Sequence, residues 1–106
     1  MLRQNLPDGL LADVKCYLNI TWNDESTDAK ISGLIASGMV YINGKYGGEA
    51  DYDVDGLPRA LLMEYVRYAR DAALDVFENN YTSMILAMQH EKAVNDYVAR
   101  TESTNA

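Results

Sequence analysis

Histidine, cysteine and proline are scarce in this sequence. Its 106 residues include one histidine, one cysteine and two prolines. A single cysteine excludes a disulfide within these residues and suits a reducing compartment. A single histidine disfavours histidine-based metal sites and the Ser–His or Cys–His pairs of many hydrolases. We expect Cys16 to be a half-buried small hydrophobe and His90 a surface residue, and we predict a protein that is not an enzyme and uses no metal or cofactor.

Long apolar runs and an excess of positive charge are lacking as well. Apolar stretches such as residues 34–36 are far shorter than the roughly 20 residues that cross a bilayer, so we expect no membrane association. Sixteen acidic residues against nine basic ones give a formal charge of -7. Such a charge disfavours binding to a phosphate backbone. Hydrophobic residues make up 48% of the chain, which is enough for one packed core at this length.

Apolar periodicity predicts an all-α fold, a small helical bundle of three main helices plus a short N-terminal helix. The short helix is expected over residues 7–18, with Asp8 as its N-cap. The second helix is expected to begin at Asn23 or Asp24, because acidic residues follow in its first turn and complement the helix dipole.

The remaining boundaries follow from glycine, asparagine and proline positions. The second helix is expected to stop at residues 43–44, and a third helix to run as one rod over residues 58–79. A break at residues 79–80 precedes a last helix, whose apolar pattern slips in phase across residues 89–93. The sequence then predicts a single helical domain over residues 1–100 and a polar C-terminal tail over residues 101–106.

The loop expected over residues 44–56 is acidic in its second half and carries the carboxylates Glu49, Asp51, Asp53 and Asp55. The run from Asp51 to Gly56 matches the opening half of a calcium-binding loop, but Leu62 stands where the twelfth position requires glutamate. Calcium binding is one interpretation of this pattern. A solvated acidic loop is the other.

Aromatic residues are the strongest positive signal, with eight tyrosines, five methionines and one tryptophan. On the third predicted helix the aromatic surface is wider than a small bundle needs, which indicates either a thicker core or a protein–protein interface. Arginines on the same helix are suited to bidentate pairs with acidic residues of a neighbouring subunit. The interface candidates are Trp22, Tyr65, Arg67, Tyr68 and Arg70.

Five segments, in order, resemble a known family. They are residues 10–18, 20–25, 30–39, 61–73 and 74–80, and residues 61–73 read Leu-Leu-Met-Glu-Tyr-Val-Arg-Tyr-Ala-Arg-Asp-Ala-Ala. This order resembles the small head–tail connector proteins of tailed bacteriophages, also called head-completion or adaptor proteins. The resemblance covers roughly residues 8–90 and carries no catalytic signature.

The resemblance implies a virion protein, assembled in the host cytoplasm, that forms a homo-oligomeric ring of typically twelve subunits beneath the portal protein. Such a ring extends the DNA channel, joins capsid to tail through a downstream neck or tail-completion protein, and lets DNA pass without specific binding. Acidic walls suit that role, because they repel a duplex. We expect the acidic loop to face the channel or solvent.

A small acidic helical regulator or inhibitor, antitoxin-like or a nucleic-acid mimic, is the alternative to the connector. Stoichiometry separates the two, because a regulator is expected to be monomeric or dimeric and a connector to form large rings.

Overall fold

A computed structural model describes residues 6–104 of the chain, and the side chains of residues 6–101. The helices are α1 (Leu10–Tyr17), α2 (Glu25–Tyr46), α3 (Leu57–Arg70) and α4 (Leu74–Thr104). Over this part of the chain there is no strand. The predicted all-α fold, with a short first helix and three longer ones, is therefore confirmed, although several boundaries differ from those predicted.

The N-termini of the first two helices differ in how they are capped. The prediction of Asp8 as a cap was wrong, since α1 begins after Gly9, which is in the left-handed region at φ 81° and makes no side-chain cap bond. The second helix was expected to begin at Asn23 or Asp24; it begins at Glu25, and Asp24 is its N-cap. Its carboxylate accepts hydrogen bonds from the backbone N–H and the hydroxyl of Thr27, both at 2.9 Å, and these bonds lower the pKa of Asp24.

The predicted stop of α2 at residues 43–44 was wrong, because the helix continues through both residues to Tyr46. It ends at Gly47, whose φ of 87° lies in the left-handed region that favours glycine. The amides of Gly47 and Gly48 then donate to the carbonyl oxygen of Asn43 at 2.9 and 3.2 Å. The capping glycine is therefore Gly47, and Gly44 is an interior helical residue.

The single rod predicted over residues 58–79 is in fact two helices. A turn over residues 71–73 separates α3 from α4, with Ala72 in the left-handed region at φ 57°. The amide of Ala73 donates to the carbonyl oxygen of Tyr68 at 2.8 Å. The turn brings α4 back against α3, so packing outweighs the cost of a left-handed alanine, which is of order 1–2 kcal/mol.

The break predicted at residues 79–80 is present one residue later, as a kink that joins two helical segments within α4. The backbone departs from helical geometry only at Tyr81, where φ is -118° and ψ is 17°. Residues 101–104 of the predicted tail belong to α4, and residues 105–106 lie outside the described residues. Among the described helices, none is long and apolar enough to cross a membrane.

One apolar core joins all the helices. The buried side chains of each helix meet there: Leu10 and Val14 from α1, Ile31, Ile35 and Ile42 from α2, Leu61, Leu62 and Val66 from α3, and Phe77, Ile85 and Met88 from α4. Lys15 is buried beside this core and pairs with Asp28 at 2.7 Å, which ties α1 to α2. Gly38 lies where α2 crosses α3.

Candidate functional site

Aromatic rings fill the space between α2, α3 and the start of α4. Phe77 lies at the centre, with ring centroids 5.0–6.0 Å from those of Tyr41, Tyr65, Tyr68 and Tyr81. Most of these pairs meet edge to face, a favourable geometry for aromatic rings. Tyr65 is only 9% exposed and is a core residue. Tyr65 thus belongs to a thick core, the first of the two alternatives that the sequence left open, while Tyr68 is only partly buried at the edge of that core.

Polar atoms at the rim of this aromatic cluster are paired within the subunit. Arg67 forms a salt bridge with Glu64, which also accepts a hydrogen bond from the Tyr81 hydroxyl at 2.7 Å. The Arg67 guanidinium also lies 5.1 Å from the centroid of Tyr68. Burial and the bond to Glu64 raise the pKa of Tyr81 to about 12. Arg67 therefore already has a carboxylate partner within the same chain.

Trp22 and Arg70, two of the interface candidates, line one groove. This groove has a volume of about 470 Å³ and lies between the N-terminal part of α2 and the C-terminal end of α3. The indole of Trp22 is 49% exposed. The remaining lining residues are Ser26, Thr27, Lys30, Ile31, Leu34 and Ala69. Sequence reasoning missed Lys30, because only the fold brings it next to Trp22 and Arg70.

The acidic loop is tied down on its inner side and open on its outer side. Tyr52 is buried, and its hydroxyl donates to Oδ1 of Asn43 at 2.7 Å. The same oxygen accepts from the amide of Ala50 at 3.0 Å, and Arg59 donates to the Tyr52 carbonyl at 2.8 Å. All four predicted loop carboxylates are exposed: Glu49, Asp51, Asp53 and Asp55.

The same loop shows no converging set of metal ligands. Oδ1 of Asp51 accepts from the amide of Asp53 at 2.9 Å, so one carboxylate shapes the loop itself. Within residues 6–104 there is no cluster of three or more His, Cys, Asp or Glu side chains that could hold a metal ion. Cys16 is exposed rather than half-buried, and His90 is exposed as expected.

The C-terminal half of α4 extends past the core as an arm, which we define as residues 93–104. Every described side chain from residue 93 to residue 101 is exposed. The arm contributes to an elongated molecule of 53 × 29 × 23 Å. The exposed apolar side chains of the arm are Val94, Tyr97 and Val98, and Leu86 is a further exposed apolar residue of α4 before the arm. We call these four residues the α4 stripe.

The α4 stripe lies on the side of the helix opposite the core. At 3.6 residues per turn, Ile85 and Met88 face the core, and the stripe lies about half a turn away from them. The phase slip that the sequence shows across residues 89–93 is the signal of this change of face. Sequence reasoning recorded the slip but drew no interface from it.

Comparisons of the chain with models of protein families, with curated proteins and with solved structures gave no match.

Proposed function

We propose that this protein is a structural head–tail connector of a tailed bacteriophage, a virion subunit without catalytic activity. In this proposal, copies of the chain form a ring beneath the portal protein, extend the DNA channel and present a platform to the next neck or tail-completion protein. The order of segments that resembles the connector family supports the proposal, and so does the surface of the subunit.

The exposed arm of α4 is the observation that carries the proposal. The arm continues a helix that is packed on the core, but none of its own described side chains is buried, so packing within the chain does not stabilise it. It nevertheless presents apolar side chains, including Tyr97 at 61% exposure. Tyrosine is enriched in the buried centres of protein interfaces. An arm of this kind is suited to packing against another subunit.

The charge of the chain supports a passive DNA conduit. A net charge of -7 and a loop with four exposed carboxylates repel a duplex, so DNA passes without being held. Purified protein is therefore expected to show no salt-dependent binding to DNA.

Particle mass tests the connector proposal directly. The purified chain is measured by mass photometry and negative-stain imaging, alone and with the portal protein of the same phage. We expect closed rings with a central hole, alone or on the portal. A chain that remains monomeric or dimeric in both conditions contradicts the connector and favours the acidic regulator, whose exposed loop carboxylates would imitate phosphates.

Variants of the arm test the observation behind the proposal. Val94→Ser with Tyr97→Ser is expected to abolish ring formation while its melting temperature stays that of the unassembled wild-type chain, because neither side chain is part of the core. Val40→Ser is the matched control, since Val40 is 74% exposed on α2 and lies outside the arm. Rings that survive the arm variant, or that are lost equally in the control, contradict a role for the arm.

A further inference from the structure

Almost all described basic side chains are already occupied within the subunit. Ion pairs with carboxylates engage Lys15, Lys45, Arg59, Arg67 and Lys92, and Arg100 lies over the ring of Tyr97. Among the lysine and arginine side chains of residues 6–101, Lys30 and Arg70 are the two that make neither an ion pair nor a contact with an aromatic ring. Both line the Trp22 groove. The chain has few basic residues, and two basic side chains without such partners line the same groove. This arrangement indicates that the groove binds a negatively charged group.

The chemistry of the groove is both apolar and cationic. Its apolar lining consists of Ile31, Leu34 and Ala69, with the half-exposed Trp22 indole beside them. None of the groove's lining residues carries a carboxylate. A matching occupant has a small apolar side chain flanked by carboxylates on both sides.

The tip of the acidic loop, residues 53–55, has this chemistry. It reads Asp53-Val54-Asp55, with both carboxylates exposed and Val54 at 55% exposure. Arg59 approaches Asp55 only to 4.0 Å and makes its closer pair with Asp13 at 2.7 Å, so the tip retains negative charge. The hydrogen bond from the buried Tyr52 to Asn43 holds the loop in place in the free protein, so less conformational entropy is lost when the tip binds.

We propose that the loop tip of one copy docks into the Trp22 groove of the next copy. Val54 packs against the Trp22 indole, and Asp53 and Asp55 pair with Arg70 and Lys30. A copy cannot fill its own groove, because α2 separates Lys30 from the start of the loop by 17 residues, or about 25 Å. Such a contact joins two different surfaces, and heterologous contacts of this kind build rings or filaments.

This inference rests on the proposed self-assembly and assigns a second contact to it, beside the arm. It also revises the expected position of the acidic loop. The loop tip lies between subunits, whereas Glu49 and Asp51 stay outside the contact.

A charge-swap experiment tests the contact. The groove variant carries Lys30→Glu and Arg70→Glu, and the loop variant carries Asp53→Lys and Asp55→Lys. Each variant alone is expected to lose closed rings in mass photometry and negative-stain imaging, and ring formation is expected to return when all four substitutions are combined in one chain. The control is Asp8→Lys with Asp75→Lys, which makes the same charge change as the loop variant at exposed positions outside the contact and is expected to assemble normally.

Each outcome either supports or overturns the contact. If the wild-type chain forms rings and both variants form them too, or if the combined chain does not recover, the groove contact is wrong while the connector stands. If the groove variant forms rings but no longer attaches to the portal, the occupant is the portal rather than a second copy. A wild-type chain that never associates overturns both proposals.

Cysteine cross-linking gives a second measurement that does not depend on charge. Val54→Cys and Ser26→Cys are introduced together into a Cys16→Ser chain, so that one cysteine lies on the loop tip and one in the groove. Mild oxidation is expected to produce a ladder of covalent oligomers. Replacing Ser26→Cys by Asn79→Cys, an exposed position on α4 outside the arm, serves as the control, and equal ladders from both chains contradict the contact.

Discussion

Gly38→Ala is the substitution that most directly tests how α2 packs against α3. A Cβ atom at residue 38 would lie 2.7 Å from Cδ1 of Leu62 and 2.8 Å from Cδ1 of Tyr65. Carbon atoms in favourable contact are about 3.5–4.0 Å apart, so one helix must move by close to 1 Å. Neither neighbour can rotate away easily, because Leu62 is fully buried and Tyr65 belongs to the aromatic cluster.

The expected loss of stability follows from two opposing effects. Overpacking of a close-packed core costs about 1–3 kcal/mol. Alanine is favoured over glycine inside a helix by about 0.8–1.0 kcal/mol, which offsets part of that cost. We therefore expect Gly38→Ala to lower the free energy of unfolding by up to about 2 kcal/mol.

Gly44→Ala provides the matched control in the same helix. A Cβ atom at residue 44 would have no atom within 4 Å, so only the gain in helix propensity remains, and we expect stabilisation by up to about 1 kcal/mol. Urea titrations followed by circular dichroism measure both variants. In thermal melts the two are expected to differ by roughly 10 °C. A Gly38→Ala protein as stable as the Gly44→Ala protein would refute the close crossing of α2 and α3.

Two further predictions concern hydrogen bonds. Asn43→Ala is expected to lower the free energy of unfolding by about 1–3 kcal/mol, because it removes the acceptor that the Tyr52 hydroxyl and the Ala50 amide share. Urea titration measures this loss, and equal stability of the variant and the wild type contradicts it. Stability is expected to fall as the pH rises from 10 to 12, since Tyr81 ionises near pH 10 when unfolded and near pH 12 when folded. In urea titrations at each pH, Tyr81→Phe should lose less of its free energy of unfolding between pH 10 and pH 12 than the wild type does. An equal loss in both proteins contradicts the role of Tyr81.

Local signals in the sequence predicted the fold class correctly and placed the starts of α2 and α3 within two residues of their positions in the structure. The extended Asp24 followed by acidic residues marks the start of α2, and Pro58 falls in the first turn of α3, as its missing N–H favours. These features depend on a few neighbouring residues, so the sequence alone is enough to find them.

The turn over residues 71–73 could not be predicted from local sequence. Asp71, Ala72 and Ala73 include no glycine or proline, and alanine favours helix. The chain turns there because Phe77 packs among tyrosines of α2 and α3, an arrangement that local propensity does not encode. Since that packing is tertiary, part of the aromatic surface of α3 could be assigned to the core only from the structure.

The candidate site was predictable in part. Composition pointed to Trp22, Arg70 and the loop carboxylates separately, but nothing in the sequence places Lys30 beside Trp22 or shows that the other described cations have partners. Which cations remain uncommitted is a property of the folded subunit, since pairs such as Arg59 with Asp13 join residues distant in the chain.

Because α4 supplies Phe77 and Met88 to the core and also forms the arm, contacts made by the arm are linked to the folding of the whole subunit. Fraying of the helix from its C-terminal end proceeds towards those core residues, and a neighbour that holds the arm opposes it. Any assembly through the arm should therefore raise the melting temperature of each subunit with protein concentration, as mass action requires for a bound state. A free subunit would be the form most exposed to proteolysis.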